Sequence, residues 1–203
     1  MSPAIAPKQF IEGPAGRIEI SVTEAIGERR GVGLLAHPHP LYGGTLDNKV
    51  VQTLAKALSR SGYSVLRLNF RGVGLSEGAY DEGRGEVEDF LALADYARTT
   101  YGEHELVLGG FSFGAYIAAA TTPKLVPKQL VLAGPAVNHF PVGVVPAQTL
   151  VIQGEEDDVV PLKDVLDWAR PQQLPVVVLP GAGHFFHGNL VRLQSLVEQY
   201  CRR

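Results

Sequence analysis

The stretch Glu105-Leu-Val-Leu-Gly-Gly-Phe-Ser-Phe-Gly-Ala-Tyr-Ile-Ala-Ala-Ala120 decides the fold. Its first part, residues 105–111, is an apolar run typical of a buried strand, and residues 115–121 begin a helix. Gly110-Phe-Ser-Phe-Gly114 joins them with no residue to spare, as in the G-x-S-x-G turn that exposes a serine hydroxyl between strand and helix. We therefore predict that Ser112 is a nucleophile, and a helix N-cap is the alternative role.

Strand and helix patterns alternate on both sides of this turn. The patterns predict strands over 10–11, 17–24, 31–36, 64–70, 129–133, 150–153 and 176–179, and helices over 48–61, 85–101, 162–170 and 190–200. Alternation of this kind indicates an α/β fold with a mostly parallel sheet between two layers of helices. Ligands of such sheets bind beyond the carboxyl ends of the strands, so those loops are the place to look for chemistry.

Size and charge restrict the classes of function. With 203 residues, a single domain over 1–203 is expected. The 18 basic and 21 acidic residues give a net charge of −3, which favours neither a nucleic-acid surface nor an anionic membrane as partner. We find no signal-peptide pattern and no apolar run of about 18 residues, so a cytoplasmic location is expected. Cys201 is the single cysteine, which excludes an internal disulfide.

A serine nucleophile needs a base and an acid that orients the base. His184 follows the last predicted strand in Gly181-Ala-Gly-His-Phe-Phe186 and is the predicted base, with His187 as the alternative. Asp157 follows another strand in Gly154-Glu-Glu-Asp-Asp-Val-Val-Pro161 and is the predicted acid, with Asp158 as the alternative. The resulting chain order is Ser, Asp, His.

A second G-x-S-x-G match, Gly74-Leu-Ser-Glu-Gly78, lacks the strand before it and the helix after it. We predict that Ser76 has a structural role in a turn, because serine hydroxyls commonly bond their own turn backbone.

The developing oxyanion needs two N–H donors. Phe113, directly after the nucleophile, is predicted to supply one. The other is expected from His37-Pro-His-Pro-Leu-Tyr-Gly-Gly44, where Pro38 and Pro40 have no N–H, which leaves His39 or Leu41. We expect His37 and His39 to bond neighbouring loops through their rings, and no metal site is predicted, since no cysteine or carboxylate set accompanies them.

These motifs resemble the α/β-hydrolase superfamily, and within it the small cap-less bacterial hydrolases near dienelactone hydrolase. The resemblance is carried by Gly110–Gly114, by Gly154-x-x-Asp157-x-Val-Val-Pro161, and by Asn69-Phe-Arg-Gly72, which is similar to the family's Arg-Gly turn. It implies an α/β-hydrolase fold, the triad Ser112, Asp157 and His184, an oxyanion N–H at His39, and no cofactor.

The site is expected to be open, since the residues 134–148 are too few for a helical cap. An apolar acyl pocket is predicted from the large apolar side chains of the loops, with core packing as the alternative for some of them: Leu41, Tyr42, Phe113, Phe140, Phe185 and Phe186.

The expected activity is hydrolysis of small-molecule carboxylic esters through an acyl-enzyme intermediate. A thioesterase or an exopeptidase would use the same machinery, and a non-catalytic binding protein on the same scaffold is a further alternative. A pocket for a substrate amine would favour the exopeptidase, and the candidate acids for it are Glu77, Asp81 and Glu82. Ester kcat/KM is expected to rise with pH as the histidine base loses its proton.

Overall fold

Strands and helices alternate in the computed structural model, which describes residues 9–102 and 105–202. The strands are β1 (Gln9–Gly13), β2 (Gly16–Thr23), β3 (Gly31–Ala36), β4 (Tyr63–Leu68), β5 (Glu105–Phe111), β6 (Gln129–Ala133), β7 (Leu150–Gly154) and β8 (Val176–Leu179). The helices are α1 (Lys49–Arg60), α2 (Arg84–Tyr101), α3 (Phe113–Leu125), α4 (Leu162–Ala169) and α5 (Leu190–Cys201). Short 3₁₀ turns cover Pro40–Tyr42 and Arg170–Gln172.

The eight strands form one sheet in the order β1-β2-β4-β3-β5-β6-β7-β8. The pairs β1–β2 and β2–β4 are antiparallel, and all other pairs are parallel. Every residue of β3 and β4 is buried, as expected of strands covered on both faces. The predicted mostly parallel α/β sheet is confirmed.

Two hydrophobic cores lie on opposite faces of the sheet. Side chains of α2, α3 and α4, including Phe90, Ile117 and Val165, pack on one face. Those of α1 and α5, including Leu54 and Leu193, pack on the other. Burial of each such side chain stabilises the fold by about 1.5–3 kcal/mol. The arrangement is the three-layer sandwich that the sequence predicts.

Parallel pairing brings the carboxyl ends of the strands to one edge of the sheet. Ala36 pairs with Gly110, Phe111 with Ala133, and Gly154 with Leu179. The loops after β3, β5, β6, β7 and β8 therefore start side by side, and these are the loops that carry the predicted site residues.

The sequence places the end of β4 two residues too late, at residue 70. Asn69 N–H still donates to Glu19 O (2.8 Å), in register with β2, and it is the next N–H, that of Phe70, that leaves the sheet and donates to His37 Nε2 (3.1 Å). The bond from Phe70 to the ring of His37 joins two loops, and the apolar pattern of the strand gives no sign of it.

The segment between β6 and β7 contains no helix or strand, so no cap covers the carboxyl edge. It lies against α4, where Trp168 Nε1–H donates to Val142 O (2.9 Å). Val145 N–H donates to Gln172 Oε1 (3.0 Å). Within the described residues, no helix is both long enough and apolar enough to cross a bilayer.

Candidate active site

Ser112 lies at the turn between β5 and α3 in a backbone conformation that non-glycine residues rarely adopt, with φ 56° and ψ −116°. Its N–H donates to Ala133 O at 3.0 Å, which fixes the turn against β6. Such strain persists only where the surrounding structure enforces it, and it concentrates at functional sites.

The glycines beside Ser112 allow close approach of backbone. A Cβ on Gly110 would lie 2.2 Å from Gly114 O, and a Cβ on Gly114 would lie 2.2 Å from Ala36 O. The turn is therefore pressed directly against the end of β3, where the loop with His37 and His39 begins.

His184 meets Ser112 from the loop after β8, with Nε2 3.1 Å from Ser112 Oγ. The imidazole packs against the ring of Phe111, with centroids 4.8 Å apart, and Gly134 lies beneath it. His187, the alternative base, is exposed, and its ring contacts Phe185 with centroids 5.9 Å apart. The structure brings His184 rather than His187 to the serine.

Asp157 completes the arrangement, with Oδ2 2.8 Å from His184 Nδ1. Its Oδ1 accepts from Val159 N–H (3.0 Å) and Val160 N–H (2.7 Å). A carboxylate with these partners orients the imidazole so that Nδ1 carries the proton and Nε2 faces Ser112 as an acceptor. Asp158, the alternative acid, points into solvent.

Gln153, at the end of β7, is a site residue that the sequence reasoning missed. It is fully buried, and its Nε2 donates to Asp157 Oδ2 (2.9 Å) and to Val160 O (2.7 Å). The available signal was a polar residue closing the apolar strand Leu-Val-Ile-Gln. Gln153 fixes both the carboxylate and the loop that carries it.

Two N–H groups near the serine have no partner in the part of the chain that the structure describes. One is Phe113 N–H, in the first turn of α3, and the other is His39 N–H. Leu41 N–H, the alternative second donor, is occupied, because it donates to His39 Nδ1 at 3.2 Å.

The His39 N–H belongs to a peptide whose orientation is set by His37. His37 is buried, and its Nε2 accepts from Phe70 N–H, so the ring proton lies on Nδ1, which donates to Pro38 O at 2.6 Å. Because Pro38 C=O and His39 N–H are opposite ends of one trans peptide, the N–H points away from His37. Burial, with a smaller contribution from His39, lowers the pKa of His37 to about 4.

The predicted pocket residues divide into two groups. Leu41, Tyr42 and Phe185 are exposed by 66%, 86% and 47%, and Phe140 is half-buried. Phe113 and Phe186 are fully buried, so the core alternative holds for these two side chains. The apolar groups that can meet a substrate lie on open loops.

Aromatic rings surround His39. Its ring centroid lies 4.6 Å from that of Tyr42, 4.9 Å from Tyr80, 5.2 Å from Phe113 and 5.9 Å from Phe140. The loops after β3, β4 and β6 are thus joined by one aromatic cluster beside the serine.

Ser76 is separated from this site and has the predicted structural role. Its Oγ accepts from Glu19 N–H (2.9 Å) and donates to Asn69 O (2.7 Å). Glu19, buried below the turn, accepts from Asn69 Nδ2 (2.8 Å) and from Leu75 N–H (2.8 Å). The hydroxyl therefore links β2 to the turn after β4.

The three candidate acids for an amine pocket are each paired with arginine. Glu77 Oε1 lies 3.1 Å from Arg17 Nη2. Asp81 and Glu82 both face Arg84, at 3.0 Å and 3.6 Å.

Comparison with known proteins agrees with this fold. Residues 43–147 match the family model described as Serine aminopeptidase, S33. A solved α-β serine hydrolase homologue from Coxiella burnetii is 41% identical and covers 96% of each chain, with a TM-score of 0.91. XC6422 from Xanthomonas campestris, described as an α/β serine hydrolase without lid, is 35% identical over 99% of this chain and 95% of its own, with a TM-score of 0.93. The protein RP471 of Rickettsia prowazekii is 36% identical and covers 96% of this chain and 88% of its own.

The class is therefore an α/β serine hydrolase without a cap, as the resemblance implied. The chain belongs to the family that carries the description Serine aminopeptidase, S33.

Proposed function

We propose that the protein is a carboxylesterase that hydrolyses small-molecule esters through Ser112, His184 and Asp157. One observation carries the proposal: Ser112 Oγ lies 3.1 Å from His184 Nε2, while His184 Nδ1 lies 2.8 Å from Asp157 Oδ2. These distances allow a proton to pass from serine to histidine as the serine attacks.

In acylation, Ser112 Oγ bonds to the ester carbonyl carbon and its proton moves to His184 Nε2. The carbonyl π electrons move to oxygen, and the resulting oxyanion is held by Phe113 N–H and His39 N–H. The intermediate then collapses, the carbon–oxygen bond to the alcohol breaks, and the alcohol leaves with the proton from His184. Asp157 stabilises the imidazolium throughout.

In deacylation, water replaces the alcohol. His184 takes a proton from the water, the hydroxyl attacks the acyl-Ser112 carbonyl, and a second oxyanion forms in the same place. Collapse returns the proton to Ser112 Oγ and releases the carboxylic acid. All the groups required for both steps belong to this chain.

The pairing of the acids favours an ester over a peptide with a free amino terminus. A carboxylate that binds a substrate ammonium does so best when it has no other cationic partner, whereas Glu77 is paired with Arg17, and Asp81 and Glu82 share Arg84. The exposed apolar groups Leu41, Tyr42 and Phe185 instead favour an apolar acyl or alcohol group.

Labelling by a fluorophosphonate, followed by intact mass, tests the proposal on wild type, Ser112→Ala and Ser76→Ala. We expect one adduct in wild type and Ser76→Ala and none in Ser112→Ala. A folded wild type without an adduct would favour a binding protein on a hydrolase scaffold. Turnover of p-nitrophenyl acetate but not of alanine p-nitroanilide is expected next, and the reverse preference would make the protein an aminopeptidase.

A further inference from the structure

Both ring nitrogens of His39 are engaged. Leu41 N–H donates to Nδ1 at 3.2 Å, and Nε2 lies 3.2 Å from Tyr80 Oη. A nitrogen that accepts from an N–H carries no proton, so the neutral ring has its proton on Nε2, which donates to Tyr80 Oη. The hydrogen bonds thus select one tautomer, opposite to that of His37.

The carbonyl of His39 is also held by the turn that follows. Tyr42 N–H and Gly44 N–H both donate to it, each at 3.1 Å. A Cβ on Gly44 would lie 2.0 Å from Pro38 O, so this turn closes only with glycine. The ring and the carbonyl of His39 are therefore fixed, while its N–H stays free within the described chain.

We propose that the His39 ring and the Tyr80 hydroxyl are positioning groups that hold the His39 N–H where the oxyanion forms. The inference rests on the proposed function, which makes that N–H the second oxyanion donor. Tyr80 belongs to the loop after β4, 41 positions along the chain, so its bond joins two loops beside the serine. It acts on the reaction only through His39.

Protonation of His39 would break this arrangement, because an Nδ1–H would face Leu41 N–H. The titratable groups around the ring are Tyr42 and Tyr80, in ring contact with it, His139, whose charge opposes protonation of the ring, and His37, whose own pKa is lowered by burial. Burial, together with His139, lowers the pKa of His39, so the ring is neutral at neutral pH.

Tyr80→Phe is the decisive variant, because it keeps the ring in the aromatic cluster and removes only the hydroxyl. Tyr116→Phe is the matched control: Tyr116 stacks on Phe140 in the same cluster, and its hydroxyl has no hydrogen bond in the described residues. His39→Asn supplies a shorter side chain whose amide oxygen accepts from Leu41 N–H but cannot reach Tyr80.

The readouts are kcat and KM for p-nitrophenyl acetate and the rate constant for labelling of Ser112 by a fluorophosphonate. We expect Tyr80→Phe to lower kcat and the labelling rate about tenfold with KM within about twofold, because loosening one donor costs less than the 10²–10³ of removing it. Tyr116→Phe should match wild type. In the His39→Asn background, Tyr80→Phe should have no further effect.

Long-range ¹H–¹⁵N spectra of the wild type test the tautomers directly, with His39 expected as Nε2–H. An Nδ1–H form of His39, equal effects of Tyr80→Phe and Tyr116→Phe, or an additive loss in the His39→Asn background would each overturn the positioning role while Ser112 remains reactive. A folded wild type that takes no adduct would overturn the proposed function and the positioning role together.

Discussion

The chain contains the pattern G-x-S-x-G twice, and the two copies have opposite roles. Ser112 lies at the turn between a central strand and a helix and contacts a histidine at 3.1 Å. Ser76 lies in an irregular turn, where its hydroxyl bonds to backbone groups of Glu19 and Asn69. Both serines have a buried carboxylate nearby, but only Asp157 is connected to its serine through an imidazole. The two serines are therefore distinguished by the presence of His184 beside Ser112, and not by the five-residue motif.

The glycines of the two copies also differ in what they allow. Gly110 and Gly114 allow close approach of backbone, since a Cβ on either would lie 2.2 Å from a carbonyl oxygen. Gly74 and Gly78 have positive φ, at 59° and 86°, and the nearest atoms that a Cβ would meet there, at 2.4 Å and 2.8 Å, belong to side chains rather than to backbone. The same five-residue motif thus places Ser112 at a positive φ, whereas at Ser76 it is the flanking glycines that have positive φ.

Replacing each serine with alanine is expected to give the largest difference in activity between the two motifs. Ser112→Ala is expected to lower ester kcat/KM by about 10⁴-fold or more, because the nucleophile is lost. Ser76→Ala should leave kcat/KM within about twofold but lower the free energy of unfolding by about 1–3 kcal/mol, because Glu19 N–H and Asn69 O lose a buried partner. Steady-state kinetics and urea unfolding of both variants measure this contrast, and comparable losses of activity would remove it.

Replacement of Asp157, the carboxylate that is linked to Ser112 through His184, is expected to give the next largest loss of activity. In Asp157→Asn the amide oxygen stays on Val159 and Val160 N–H, so the amide NH₂ faces His184 and selects the wrong tautomer. A loss of about 10³–10⁴-fold in kcat is expected. Asp158→Asn, one residue on and exposed, is the control and should stay near wild type. Equal losses would reassign the acid.

His37 lies between the two copies, since its ring bonds Phe70 N–H and its carbonyl lies against Gly114. Its pKa is about 4 in the fold, against an ordinary value of 6.5, so the unfolded chain binds the proton more tightly. Its contribution to stability is therefore complete above pH 6.5 and is lost as pH falls towards 4. Between pH 7 and pH 5 we expect a loss of about 2 kcal/mol from this residue.

His37→Gln isolates that contribution, because its amide oxygen can accept from Phe70 N–H and does not titrate. Urea unfolding at pH 7 and pH 5 should show a smaller decrease in stability for the variant than for wild type. An identical decrease would mean that His37 titrates normally in the fold.

Exposed apolar side chains beside the two serines give the smallest contrast. Phe185→Ala is expected to raise ester KM by about three- to tenfold for an apolar acyl chain, since it removes apolar surface beside Ser112 that the acyl chain would contact. Leu75→Ala, equally open beside Ser76, should leave KM unchanged. A series of p-nitrophenyl esters from acetate to octanoate measures both, and equal effects would place substrate binding elsewhere.

The sequence predicts most of the fold because each layer has its own apolar pattern, from the continuous run of β5 to the spaced face of α1. It also predicts Ser112, Asp157 and His184 as neighbours, and the structure brings the three together. It misses Gln153 and Tyr80, and it ends β4 too late. These three depend on hydrogen bonds between distant loops, for which neither periodicity nor motif spacing gives a signal.

The segment between β6 and β7 forms no cap over the site, and this has a consequence for how substrate enters. Because no cap covers the site in the described residues, we expect binding to be a single encounter step rather than a gated one. For the binding step, stopped-flow records should therefore be single exponentials whose rate constant is linear in ester concentration, and turnover should show no lag when the ester changes from dissolved to emulsified form.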